Sequence, residues 1–172
     1  QRKRVMSLVL LGAVSLELFG NGLILIASLS CDVGYSSYSS YVDYFKNLSP
    51  IVNSVQDKDK GFYRMEKTFF RKTNDNMALN IRGLSGSTST LNKETIQFLH
   101  KMGYASKSHW SKYLGGTPVN DSLLGLKYII SDSSVYKNYY EVYKTDPEYG
   151  YTAYYNPYAL SIAYGVDDDL LK

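Results

Sequence analysis

The chain begins with a long run of apolar positions that follows a short basic stretch. Residues 2–4 are all cations, and over residues 5–29 the only strongly polar side chains are Glu17 and Asn21. As an α-helix this run would extend roughly 37 Å at about 1.5 Å per residue. That length exceeds the hydrocarbon core of a bilayer, which is roughly 30 Å thick. The pattern predicts a membrane-spanning helix over residues 1–30 with its basic end in the cytoplasm.

The two polar residues of the run predict a multi-helix membrane protein. Glu17 and Asn21 stand four positions apart, so a helix places them on one face. Polar side chains inside a bilayer usually face other helices or a wet cavity, and Gly12, Gly20 and Gly22 would permit close helix packing. We expect this polar face to meet further helices of a larger protein.

Two other interpretations of the run involve export rather than spanning. A cleaved signal peptide has an apolar stretch of about 7–15 residues, whereas this run is longer and contains an acid. Cys31 suggests a lipid anchor, but the preceding residues, Ser-Leu-Ser, match a lipidation motif weakly. A lipoprotein tethered through Cys31 remains the alternative to the spanning helix.

Apolar side chains recur at helical spacing in two places downstream. The first predicts a helix over residues 39–56, bent or interrupted near Pro50. The second follows Asn92, a typical N-cap residue, and ends before Gly103, a typical residue just beyond a helix end. One or both of these segments should cover a sheet.

The remaining apolar segments are typical of strands, because they alternate or form short buried runs. The predicted strands are residues 62–68, 77–81, 126–131 and 138–144. Two more are predicted around the turn Asn156-Pro157, one before it and one after it, the second ending at residue 166. Residues 31–172 should therefore form an extracytoplasmic α+β domain. We expect a mixed or antiparallel sheet of about five strands with one or two covering helices.

Charge and composition exclude several classes of function. Residues 2–4 hold three of the 19 basic residues and Glu17 one of the 16 acidic residues, so the rest of the chain is nearly neutral. Nucleic-acid binding requires a strong positive surface, and we expect no nucleic-acid partner. Cys31 is the single cysteine, and the spacing of His100 and His109 does not suit a local zinc site. We expect no metal and no cofactor.

Three segments contain candidate ligand-binding residues. Arg64 and Glu66 share one face of a predicted strand, where they form either a polar contact for a sugar or phosphate or a structural ion pair. Ser85 lies in the loop Gly-Leu-Ser-Gly-Ser-Thr, which resembles a phosphate-binding loop but lacks its lysine. Trp110 is either a stacking platform for a sugar or a packing residue.

The turn at residues 156–157 carries the last two candidates. Asn156 and Tyr158 either contact a ligand or only hold the turn. No Ser/His/Asp or Cys/His set is apparent, and we assign no catalytic residue.

Five segments in this order resemble the extracytoplasmic region of the YfhO family of bacterial membrane proteins. They are LELFGNGLI, FYRME, NIRGLSGSTST, DSLLGLKYII and YYNPYALSIAYGV, and together they span residues 16–166. The resemblance implies a polytopic glycosyltransferase of the GT-C type, which transfers a sugar from a polyprenyl-phosphate carrier to a cell-wall polymer such as lipoteichoic acid in Gram-positive bacteria. In that type the catalytic acid lies in an early extracytoplasmic loop, so this chain is expected to position donor or acceptor. The alternative is a non-enzymatic, membrane-anchored binding module.

Overall fold

The computed structural model describes residues 2–132, 139–165 and 167. Its helices and strands follow the order α1 (Arg2–Asp32), α2 (Tyr38–Lys58), β1 (Arg64–Lys67), α3 (Asp75–Ala78), β2 (Gly86–Ser87), α4 (Lys93–Lys101), β3 (Ala105–Lys107), β4 (Trp110–Lys112), α5 (Pro118–Leu123), β5 (Leu126–Ser131), β6 (Glu141–Asp146) and β7 (Tyr151–Tyr155). The chain divides into two compact units, Gln1–Tyr41 and Val42–Lys172. The predicted α+β class is confirmed.

The first unit consists chiefly of α1. Its segment Arg2–Leu29 has a mean hydropathy of 2.0 and is long and apolar enough to cross a membrane. None of this segment is buried within the protein, and large apolar side chains such as Leu16 and Phe19 are exposed. The predicted long apolar helix is confirmed, and its crossing of a bilayer stays a prediction.

Helix α2 runs without interruption through Pro50, so the predicted interruption is wrong, and a bend at this position stays a prediction. Proline lacks an N–H and costs an internal helical position about 3 kcal/mol. Leu48 before it and Ile51, Val52 and Val55 after it all belong to one buried apolar cluster. Because this packing fixes the helix on both sides of Pro50, it outweighs the missing hydrogen bond.

The larger sheet has four strands in the order β1-β5-β7-β6. Strands β1 and β5 are parallel, while β5–β7 and β7–β6 are antiparallel, so the sheet is mixed as predicted. Strand β5 has the bounds predicted from its continuous apolar run, and it is buried almost throughout. One face of the sheet packs against α2 in the main core cluster, through residues such as Met65, Tyr128 and Ile130.

A second sheet, in the order β2-β4-β3, is small and antiparallel. Beside it lies α4, which was predicted from local signals. The Asn92 side chain accepts hydrogen bonds from the backbone N–H groups of Glu94 and Thr95, at 2.8 and 3.1 Å. Gly103 adopts φ +87° just beyond the helix end. Both capping predictions are confirmed.

The predicted strand at residues 77–81 is wrong. Residues 75–78 form the helical turn α3, and Asn80 has φ +52°, which is incompatible with a strand. The carboxylate of Asp75 accepts hydrogen bonds from the backbone N–H groups of Arg71 and Lys72, at 2.7 and 3.0 Å. These contacts turn the chain, whereas the alternation of apolar residues carries no information about them.

The predicted strand after Asn156-Pro157 is also wrong over residues 158–165, and residue 166 lies outside the described residues. Strand β7 is already paired on one side with β5 and on the other with β6. A strand returning from the turn therefore has no free edge of β7 to join, and Ile162 remains 69% exposed. The predicted strand at 138–144 is observed as β6, and residue 138 lies outside the described residues.

Candidate functional site

A groove of about 250 Å³ lies between the end of α2, the segment that enters β1 and the segment that follows α3. It is lined by Gln56, Asp59, Lys60, Gly61, Tyr63, Met65, Asn80, Ile81 and Arg82. Two hydrogen bonds hold its walls together. The backbone N–H of Met65 donates to the carbonyl of Arg82 at 2.9 Å, and the amide of Gln56 donates to the carbonyl of Asn80 at 3.0 Å.

Asp59 is the anchored carboxylate of this groove. It accepts hydrogen bonds from Lys127 Nζ at 2.5 Å, from the Tyr128 hydroxyl at 3.0 Å and from the backbone N–H of Gly61 at 3.0 Å. Partial burial raises the pKa of Asp59, but the hydrogen bond from Lys127 and the two other donors outweigh it, so the pKa lies below its ordinary value. Asp59 is ionised at neutral pH, and Lys127 compensates its charge.

Tyr63 forms the aromatic wall of the groove. Its ring meets that of Tyr128 edge-on, with centroids 5.0 Å apart. Burial raises the pKa of Tyr63, and the nearby charge of Asp59 raises it further, so its hydroxyl stays protonated. A ring with a hydroxyl donor suits a ligand that has both an apolar face and polar groups.

Arg82 brings positive charge to the groove, and Arg64 contacts the same aromatic ring as Arg82. Both guanidinium groups contact the ring of Phe62, with their central carbons 5.4 and 5.9 Å from its centroid. Arg64 also donates from Nη1 to the carbonyl of Leu124 at 2.5 Å. Within the part of the chain that the structure describes, neither arginine has a carboxylate partner.

Glu66, a predicted ligand residue, is fully buried and meets only protein groups. Its Oε1 accepts hydrogen bonds from the backbone N–H groups of Leu84 and Ser85, the second at 2.6 Å, and from the amide of Asn76 at 3.0 Å. The loop amides that resembled a phosphate cradle are thus directed at an internal carboxylate. Ser85 itself accepts a hydrogen bond from the backbone N–H of Tyr113 at 2.9 Å.

Lys67 extends the same buried network. It donates to the side-chain oxygen of Asn76 at 2.5 Å and lies 5.7 Å from the centre of the Phe70 ring. Burial lowers the pKa of Lys67, although the carboxylates of Glu66 and Asp75 raise it. Arg64 and Glu66 therefore have separate partners rather than forming the ion pair that was their alternative interpretation.

The other predicted ligand residues lie apart from the groove. Trp110 is half-buried on β4, with Lys112 Nζ 5.9 Å from its ring centre. Asn156 is buried and donates to the carbonyl of Leu126 at 3.0 Å, which holds the turn against β5. Tyr158 is 65% exposed and lines a separate apolar cavity of about 440 Å³ beside α5. None of the six predicted residues lines the groove, and their ligand contacts stay a prediction.

Glu17 and Asn21, the predicted polar face, are both exposed on α1. Their spacing along this continuous helix places them on one side of it, as predicted. That this side meets further helices stays a prediction. Among the residues described, no three histidine, cysteine or acidic side chains form a group that could hold a metal ion.

Sequence reasoning missed the residues of the groove and a second buried carboxylate. The segment Asp-Lys-Asp-Lys-Gly-Phe-Tyr after α2 is rich in polar and aromatic residues, and this composition could have marked it as a candidate binding site. Arg82 reaches this segment only through the unpredicted turn α3.

Asp121 is fully buried and accepts hydrogen bonds from three tyrosine hydroxyls at 2.5–2.8 Å, namely those of Tyr104, Tyr113 and Tyr140. Three of the 18 tyrosines therefore serve as hydrogen-bond donors inside the protein.

Comparison with known proteins gives one match. A family model described as bacterial membrane protein YfhO matches residues 1–172, the whole chain. No curated protein and no solved structure matches.

Proposed function

We propose, from the premise that this chain belongs to the YfhO family of bacterial membrane proteins, that it is part of a polytopic glycosyltransferase of the GT-C type. The full protein transfers a sugar from a polyprenyl-phosphate carrier to a cell-wall polymer such as lipoteichoic acid. Helix α1 spans the bacterial cell membrane, and the residues after about 30 lie outside it. This chain positions the donor or the acceptor, while the catalytic acid lies elsewhere in the protein.

The observation that supports this role is the groove beside β1. It combines the ring and hydroxyl of Tyr63, the ionised carboxylate of Asp59 and the guanidinium of Arg82, which has no carboxylate partner among the described residues. Carbohydrate ligands offer ring faces to aromatic side chains and hydroxyl groups to carboxylates and amides. Asp59 accepts three hydrogen bonds from the protein, and a carboxylate has about four acceptor sites. One acceptor site therefore remains for a ligand hydroxyl.

The experiment replaces Tyr63 in the full-length protein and measures the sugar content of the cell-wall polymer in cells. We expect Tyr63→Ala to reduce glycosylation by about tenfold or more, because a lost stacking contact and hydrogen bond together exceed 1.4 kcal/mol. Tyr149→Ala, in the turn between β6 and β7, is the matched control and should leave glycosylation unchanged. Normal glycosylation by Tyr63→Ala at a normal protein level would exclude the groove as the contact site.

The alternative is a binding module without enzymatic activity, either anchored in the membrane or tethered as a lipoprotein through Cys31, which is exposed and not in a disulfide. Mass spectrometry of the protein from its native membrane tests the lipoprotein form of this alternative. A chain whose new amino terminus is an acylated Cys31 would refute the spanning helix. An uncleaved chain that retains residues 2–30 would refute the lipoprotein.

A further inference from the structure

We infer that Arg82 and Arg64, at the ring of Phe62, form an oxyanion site at the groove. The ligand group is a phosphate, carried either by a lipid headgroup or by a molecule free in solution. This inference deepens the proposed function, on which it rests in treating the groove as the ligand site.

The cations around the groove differ in whether a carboxylate accompanies them. Lys127 is paired with Asp59 at 2.5 Å, and Lys60 lies 3.6 Å from Asp57 in an exposed pair. Arg82 has no hydrogen bond from its guanidinium to any residue that the structure describes. The groove therefore carries uncompensated positive charge where it is open to a ligand.

Arg82 and Arg64 contact the same ring, that of Phe62. Both guanidinium carbons lie within 6 Å of its centroid, at 5.4 and 5.9 Å, so both positive charges act on an anion that lies beside the ring. Phe62 is 48% exposed, so the position beside its ring is accessible.

The chemistry of arginine favours a phosphate among possible anions. A guanidinium presents several N–H donors in a planar fork that matches the oxygens of phosphate, and the aromatic contact restricts its motion. Arg64 donates one hydrogen bond, from a terminal nitrogen, to the carbonyl of Leu124. This bond fixes the position of the guanidinium and leaves its other donors available. The two side chains are thus placed before a ligand arrives.

The test titrates the purified full-length protein in detergent with inorganic phosphate, against chloride at equal ionic strength. Phosphate that binds the folded state raises the melting temperature, and the dependence on concentration gives an apparent Kd. We expect Arg82→Ala to weaken this Kd by about tenfold or more, because a charge-assisted contact to the anion is lost. Arg82→Lys should recover part of the response, since lysine keeps the charge without the fork.

A second arm distinguishes the two sources of phosphate. The same variants are placed in nanodiscs of phosphatidylcholine with or without phosphatidylglycerol. A stabilisation by phosphatidylglycerol that Arg82→Ala abolishes assigns the site to a lipid headgroup, and a response confined to inorganic phosphate assigns it to a free ligand. Lys101→Ala, which removes an exposed cation from α4, should match the wild type in both arms.

Equal responses of the wild type and Arg82→Ala in both arms would overturn the oxyanion site. That result would leave the glycosyltransferase proposal intact, because the titration involves no sugar transfer. Conversely, a phosphate response that requires Arg82, together with normal glycosylation by Tyr63→Ala, would support the oxyanion site and remove the groove from glycosyl transfer.

Discussion

Two polar regions lie along β1, and they differ in what satisfies their charges. Glu66 is fully buried, and protein donors from the loop and from Asn76 surround its carboxylate. In the groove, by contrast, Arg82 is exposed and has no carboxylate partner among the described residues. Buried charges are tolerated only when they are internally satisfied, whereas an exposed and unpaired cation is available to a ligand. Burial and partners, rather than residue type, separate structural from binding roles here.

The most damaging change should be Glu66→Ala, because it removes the acceptor of several buried donors. We expect a loss of about 3 kcal/mol or more in the free energy of unfolding, measured by chemical denaturation of the purified chain in detergent. Glu141→Ala, at an exposed position on β6, should change stability by less than about 0.5 kcal/mol. Similar losses for both variants would show that the Glu66 network does not stabilise the fold.

A smaller loss is expected for Gly83→Ala, which tests the close approach of the loop to Glu66. An added Cβ would collide with the Asn76 amide and the Glu66 carboxylate. Overpacking of this kind costs about 1–3 kcal/mol. Gly86→Ala is the matched control, since an added Cβ there meets nothing within 4 Å. If the two alanine variants unfold at the same denaturant concentration, the loop is looser than this packing implies.

The groove should show a modest dependence on pH through Asp59. Its pKa is lower in the folded protein than in the unfolded chain. The stabilisation that ionised Asp59 contributes is complete above its pKa in the unfolded chain, which is about 4. It is lost as the pH falls through the lower pKa of the folded protein. Between about pH 6 and pH 3, the wild type should lose more stability than Asp59→Asn, by less than about 1 kcal/mol. Asp57→Asn, at an exposed position, should follow the wild type.

The smallest effect on stability should be that of Arg82→Ala. Its guanidinium contacts an exposed ring and, within the described part of the chain, no carboxylate, so we expect a change within about 0.5 kcal/mol. This outcome, together with a weakened phosphate response, would sharpen the contrast with Glu66. A loss comparable to that of Glu66→Ala would instead assign Arg82 a structural role and break the comparison.

The elements that sequence reasoning predicted well depend on local chemistry. Helix α4 followed from Asn92 and Gly103, whose side chain and backbone conformation act within a few residues. Strand β5 followed from an apolar run that is buried on both faces. The predictions failed where distant groups decide the outcome. The segment 77–81 is turned by hydrogen bonds to Asp75, and residues 158–165 follow strand β7, whose two edges are already paired with β5 and β6.

The candidate site shows the same division. Arg64 and Glu66 looked equivalent because they share one face of the predicted strand, yet Glu66 is enclosed by a loop that starts at Gly83 while Arg64 contacts the exposed ring of Phe62. Nothing in the spacing of residues along the chain shows which of two polar side chains will be covered. Coverage is a property of the folded neighbours.

By itself, the sequence determined the long apolar helix, the α+β class, the caps of α4 and the family resemblance, because each depends on composition, short-range contacts or the order of motifs. Only the tertiary structure decided that the loop amides face Glu66 and that Arg82 lies beside Tyr63. The physical reason is that hydrogen bonds and charge compensation act between groups that are close in space. Arg82 and Tyr63 come together only after α3 has turned the chain and the backbone N–H of Met65 has bonded to the carbonyl of Arg82.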